Sequence, residues 1–142
     1  MAIYSMADRT SNVTTAAACF EIRTTATDRP RVMEIGISLV TAAATVIGLG
    51  RPAAIGITPT SPKTVLAEDF GDPVGTVQTA VAWGTGPTVP ANFLRRWSFP
   101  ATIGAGVILT FPRGLVIPVS SSFILWNILG GATLDVNVVI DE

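Results

Sequence analysis

The chain has no histidine, one cysteine and one lysine, and only 13% of its residues are charged. Each shortage closes off a kind of chemistry. Without histidine, acid–base catalysis near neutral pH loses its usual carrier, and the remaining titratable groups stand at no spacing that would bring an acid and a base together. Cys19 has no second cysteine for an intramolecular disulfide and no histidine with which to build a zinc cage. Between Ala16-Ala17-Ala18 and Phe20 it reads as a small buried hydrophobe. Arg95-Arg96 is the only basic doublet, and no basic stripe exists to displace counterions from phosphates, so nucleic acid is not an expected partner. Met1 to Thr10 carries Asp8 and Arg9 and lacks the apolar stretch of a secretory signal. Ile35 to Gly50 is uncharged, yet it is shorter than the roughly 18 to 20 residues that span a bilayer as a helix, and its glycines, threonines and β-branched residues suit strands. No membrane partner is expected.

What the chain has is apolar strand sequence. Hydrophobic residues make up 49% of its 142 positions, and nine basic residues nearly balance ten acidic ones at a net charge of −1. The mean hydropathy of +0.54 is high for a soluble monomer. Weak self-repulsion and abundant apolar surface together favour association. Eight of the nine basic residues are arginine, whose planar guanidinium suits interface hydrogen bonding better than an ammonium does, although a GC-rich coding sequence gives the same bias.

Period-two alternation dominates, and helical periodicity is scarce. Met33, Ile35, Ile37 and Leu39 share one face of a strand, opposite Glu34, Gly36 and Ser38. Leu134, Val136, Val138 and Ile140 alternate with Asp135 and Asn137. Phe20 and Ile22 alternate with Glu21 and Arg23. Val107, Leu109 and Phe111 are separated by Ile108 and Thr110, which suggests a strand covered on both faces. Phe123 to Leu129 is apolar except for Asn127, as in a central buried strand containing a core Trp126. Thirteen glycines and ten prolines punctuate these runs. They include Asp28-Arg29-Pro30, Gly71-Asp72-Pro73, Phe111-Pro112-Arg113-Gly114 and Gly130-Gly131. Short strands at this spacing predict an all-β fold, an antiparallel β-sandwich, as one domain over residues 1–142. Thr58 to Asp72 and Gly84 to Pro100 read as long loops, the second held in place by Phe93, Trp97 and Phe99.

No cluster rises to a catalytic or metal site. Glu68, Asp69 and Asp72 invite a carboxylate-pair or calcium reading, but Glu-Asp-Phe-Gly-Asp lacks the alternating oxygen ligands of a calcium loop and nothing converges on it. A solvated loop, or a partner for an arginine across a subunit contact, fits better. Gly48, Gly50 and Gly56 lack the spacing and the Lys-Ser/Thr of a phosphate loop and read as turn glycines. Gly104-Ala105-Gly106 reads as a strand entrance running close to a neighbouring backbone. Trp83 serves either as core or as a partner anchor. The sequon at Asn12-Val13-Thr14 matters only in a secreted protein. Arg51, Arg95, Arg96 and Arg113 stand near prolines or aromatics. They are either plain surface charge or interface anchors, and the doublet beside Trp97 matches the composition of interface hot spots. No cofactor and no metal is called for.

The order of these features resembles that of small bacteriophage virion proteins. Ile3-Tyr4-Ser5 leads into the Ala/Thr stretch Thr14 to Ala18 and Phe20-Glu21-Ile22. Glu34 to Ile37 precedes an Ala/Thr run and the turn Gly50-Arg51-Pro52. A proline-rich loop ending in arginines and aromatics, Pro87 to Trp97, is followed by the Gly-rich strand Gly104 to Gly114 and by Ile124 to Asn127. Within that group the chain is similar to the jelly-roll decoration, or cement, proteins of capsids. The resemblance implies a jelly-roll-like sandwich, a homotrimer, and an N-terminal arm of about residues 1–12 that reaches to a neighbour or to the shell. It also implies the major capsid protein as partner, a place on the capsid exterior after synthesis in the host cytoplasm, and no enzymatic activity. The chain departs from the family picture in lacking a long polar arm. Arg51, Arg95, Arg96 and Trp97, with the Met1 to Asn12 arm, are the expected contact residues. The alternative from a different class is a tail-tip or head-fibre module that binds a host receptor.

Overall fold

β-branched and aromatic residues fill the paired segments, because their side chains pack well on a pleated, half-buried surface. The computed structural model describes residues 2–11 and 14–142. Among these it contains β1 (Ile3–Arg9), β2 (Ala17–Arg23), β3 (Arg31–Leu39), β4 (Thr45–Gly50), β5 (Ile57–Pro59), β6 (Lys63–Thr64), β7 (Leu66–Ala67), β8 (Gln78–Ala80), β9 (Trp83–Thr85), β10 (Phe93–Phe99), β11 (Gly106–Val116), β12 (Ser122–Leu129) and β13 (Leu134–Asp141), and no helix. One sheet has the order β11-β3-β13-β1-β7 and the other β10-β4-β12-β2-β8-β6. A small ribbon joins β5 to β9, and every pairing is antiparallel. The fold is therefore an all-β antiparallel sandwich, as expected. The eight long strands alternate between the sheets along the chain, except that β4 and β10 are neighbours in one sheet.

Between the sheets lies a continuous apolar core. Ile35, Ile37 and Leu39 of β3 and Leu134, Val136, Val138 and Ile140 of β13 meet Phe20, Ile22, Ile47, Leu49, Phe123 and Leu125 from the opposite sheet. Each such side chain, fully withdrawn from water, contributes about 1.5–3 kcal/mol. Met33 departs from the expected face. Val139 pairs with Glu34 and Ile140 with Val32, so a bulge leaves Met33 without a partner, and Val32 takes the core position.

Three other expectations are corrected. Residues 3–9 are not an arm: β1 lies inside its sheet, paired over its whole length to β13 and over Tyr4-Ser5 to β7, with Tyr4 buried. Met1, Asn12 and Val13, the ends of the expected arm and the start of the sequon, lie outside the described residues. The loop expected over Gly84 to Pro100 gives way to a regular strand from Phe93, because β10 has β4 to pair with. The segment from Thr58 to Asp72 likewise contains β6, β7 and the end of β5.

Gly48 and Gly50 are strand residues of β4, not turn glycines. Built side chains would meet the Phe93 ring at 2.4 Å and Pro90 at 2.6 Å, so their hydrogens make room for the chain that returns to β10. Gly106 has the role expected of it, since a Cβ there would stand 2.4 Å from the Ile37 carbonyl oxygen. Gly130 is held at a φ of 94°, where a Cβ would lie 2.0 Å from the Ala44 carbonyl oxygen. Its own carbonyl accepts from Thr15 Oγ1 at 2.9 Å and Asn127 Nδ2 at 2.7 Å, pinning one end of the sandwich. Gly130→Ala is expected to lower unfolding free energy by at least about 2 kcal/mol in urea titration, because left-handed strain and a backbone clash act together.

Candidate functional site

A strand at the margin of a sheet carries backbone donors and acceptors that need partners. On one flank of this sandwich they are covered. β1 is followed outward by β7, and β2 by β8 and β6, all short strands from the long excursion between β4 and β10. On the other flank the marginal strands are β10 and β11, and among the described residues no strand lies beyond either. They follow one another through residues 100–105, where Gly104 N–H donates to Leu39 O and Leu39 N–H to Ala105 O, both at 2.9 Å.

The sequence-derived contact residues concentrate on this open flank. Arg95 and Arg96 lie exposed on β10, beside a bulge between Phe93 and Arg95. Arg95 donates only to its neighbour's carbonyl, Leu94 O, at 2.7 Å, and among the described residues neither arginine makes an ion pair. Trp97 is half-buried and packs against the core, so it supports the strand from within. Arg51 lies apart from the doublet. Its guanidinium sits 4.9 Å from the centroid of the Phe123 ring and donates to Val116 O at 3.3 Å, tying the start of the excursion to β11 across the sandwich. Arg113 is exposed, and its carbonyl accepts from Arg31 Nη1 at 3.0 Å. The strand expected to be covered on both faces, β11, is not: Ile108 is 67% exposed and Thr110 is exposed. Ile103 and Leu94 add further apolar surface to the same flank.

The excursion over residues 51–92 is anchored by a residue the sequence reading passed over. Glu21, which alternates with the core residues Phe20 and Ile22, is itself wholly buried. Its Oε1 accepts the Gly56 N–H at 3.1 Å, its Oε2 accepts the Trp83 indole N–H at 2.7 Å, and Arg23 Nη1 lies 3.5 Å away while donating to Gly56 O at 3.0 Å. This resolves the open choice for Trp83, which is a half-buried internal latch. Trp126 is half-buried also, in the central strand β12. Nothing in the local sequence marks Glu21; the signal lies in the covering segment 35 to 62 residues away.

The excursion is tied at its far end too. Tyr4 Oη donates to Pro73 O at 3.1 Å, and the Thr76 N–H donates to the Glu142 carboxylate at 2.9 and 3.1 Å. Asp28 accepts the hydroxyls of Thr25, Thr76 and Thr27 at 2.5, 2.7 and 3.0 Å, which hold its carboxyl below the usual carboxylate range. Asp135 is likewise held low by the two-pronged hydrogen bond from Arg9 at 2.7 and 2.9 Å. Cys19 is buried, and burial pushes its thiol up to about 12, so it stays a protonated core group at neutral pH. Among the described residues no three His, Cys, Asp or Glu side chains gather as metal ligands. The described residues contain no helix, and so none long and apolar enough to cross a membrane.

No family model, curated protein or solved structure matches the chain.

Glu21→Ala is expected to cost about 3 kcal/mol of stability in denaturant titration, because it strands buried N–H donors and the Arg23 charge, and to shift Trp83 fluorescence to the red. A second expectation concerns acid. The folded pKa of Asp28 lies below its ordinary 3.8, so its contribution is full above that value and drains away as pH falls through the folded pKa. The urea midpoint should therefore fall on acidification through this window, and Asp28→Asn should flatten that fall.

Proposed function

We propose that this chain is a virion structural protein, a capsid decoration or cement protein that assembles as a homotrimer and binds the outer surface of a shell. The observation that carries the reading is the unequal finishing of the two flanks. One is capped with three short strands, and the other leaves β10 and β11 open, with exposed Leu94, Ile103 and Ile108 and with Arg95, Arg96 and Arg113 making no ion pair among the described residues. Exposed strand edges are hazards that monomeric proteins usually blunt, so leaving a flank open suits a surface that is covered in an assembly. The strand orders β1-β13-β3-β11 and β2-β12-β4-β10, with consecutive strands mostly changing sheet, support the jelly-roll form that the family resemblance implies.

The mechanism is clamping. A protein that binds only the assembled shell adds its binding free energy to the assembled state alone, and many modest contacts repeated over a shell resist expansion together. No chemical step is involved.

Purified protein is expected to bind heads that lack it, saturating at a fixed ratio to capsid subunits, and those heads are expected to survive heating better. Arg95→Ala with Arg96→Ala should weaken that binding at least about tenfold while leaving the far-UV spectrum unchanged. Protein that ignores heads and adheres to host cells would overturn the reading in favour of a receptor-binding tail or fibre module.

A further inference from the structure

One row of registered residues runs straight across the five-stranded sheet. Ala67 pairs with Tyr4, Tyr4 with Ile140, Ile140 with Val32, and Val32 with Leu115. The two ends of this row lie on opposite flanks, about 19 Å apart at the usual strand spacing. They carry complementary surfaces.

At the capped end, the turn after β7 presents Phe70, which is fully exposed, between Leu66 and Val74, which are 68% and 84% exposed. Glu68 and Asp69 directly precede it and make no ion pair among the described residues, one oxygen of Glu68 accepting from the Ser5 hydroxyl. This turn is ordered by its own hydrogen bonds. Gly71 N–H donates to Asp69 Oδ1 at 2.8 Å, Asp72 N–H to Asp69 O at 3.0 Å, and Glu68 N–H to Ile3 O at 2.9 Å. A large aromatic side chain is thus held in water on a fixed support, which is how a contact anchor is presented.

At the open end, β11 loses register between Thr110 and Leu115. The bulge that results makes an apolar hollow lined by Phe111, Pro112, Gly114 and Leu115, with Arg113 at its rim. Beside it a second hollow is lined by Arg31, Met33 and Asp141. Asp141 is more than nine-tenths buried, and its Oδ1 has no hydrogen-bond partner. Pro112 lacks an N–H, so the bulge also blocks simple strand addition and favours docking by side chains.

We infer that the occupant of this hollow is a second copy of the chain: Phe70 of one subunit seats in the hollow at 111–115 of the next, with Glu68 and Asp69 facing Arg113. The contact rests on the self-assembling role proposed above and names the surfaces that perform it. Joining opposite flanks is a head-to-tail contact, and such contacts generate rings or filaments. The homotrimer proposed above takes the closed form of such a contact. Opposite flanks of one sandwich cannot both reach the same neighbour, which makes three copies the smallest closure.

The test is the mass of the full chain by sedimentation across micromolar concentrations, for the natural sequence, Phe70→Ser, Arg113→Glu, Glu68→Arg, and the last two combined. All three positions are exposed, and the far-UV spectrum verifies that each variant is folded. The natural chain is expected to sediment as a trimer, each single variant to require at least about a hundredfold higher concentration to assemble, and the charge-swapped double variant to regain most of the loss. A folded natural chain that stays monomeric, or single variants that keep the trimer, would overturn the proposal. The head-binding measurement separates the two readings. A monomer that still saturates heads removes this interface and leaves the decoration role, whereas a ring that dissociates as described but ignores heads upholds the interface and removes that role.

Discussion

An unpaired strand edge has to be finished in some way, because its N–H and C=O groups keep a strong demand for partners, and the two flanks of this sandwich meet that demand differently. The capped flank uses the chain itself. The excursion over residues 51–92 leaves β4, lays down β6, β7 and β8 along the margins of both sheets, and returns to β10. The open flank has bulges in β10 and β11 and a proline in β11, which discourage indiscriminate pairing without covering the edge. The functional reading and the proposed ring contact both follow from this difference.

The excursion stays in place through polar contacts more than through a second apolar core. Glu21 is the chief of these. A buried carboxylate is costly to desolvate, and this one is matched by two N–H donors and a nearby guanidinium. Close approach is made possible by glycine: a Cβ at Gly56 would stand 2.2 Å from the Trp83 ring, and Gly48 and Gly50 yield to Phe93 and Pro90. At the far end Thr76, Asp28 and Glu142 fasten the segment that follows the exposed Phe70 turn. Core packing, excursion and exposed anchor are therefore links of one chain of dependence.

Much of the sandwich was legible in the sequence because its central strands obey strict alternation. Leu134, Val136, Val138 and Ile140 are all buried, and β12 is central, as its apolar run implies. Legibility failed where the pattern depends on distant chain. β1 was expected to be an arm because the family resemblance implies one, yet β13 and β7 supply its partners. β10 looked like a loop because an edge strand buries few residues and this one carries two arginines. The burial of Glu21 could not be read from alternation because its cover comes from distant chain, and Met33 was misassigned because a bulge shifts the register by one. The acidic turn gave no sign in the sequence that Phe70 is fully exposed beside it, because that exposure depends on how β7 docks on β1.

Amide hydrogen exchange, compared between dilute protein and protein at assembling concentration, tests most directly whether the open flank is built to be covered. Assembly through that flank predicts new protection confined to β10, β11 and residues 66–74, with the capped margins at β6 and β8 unchanged. Exchange along β10 and β11 that is the same in both conditions, or protection that appears instead on β6 and β8, would contradict it.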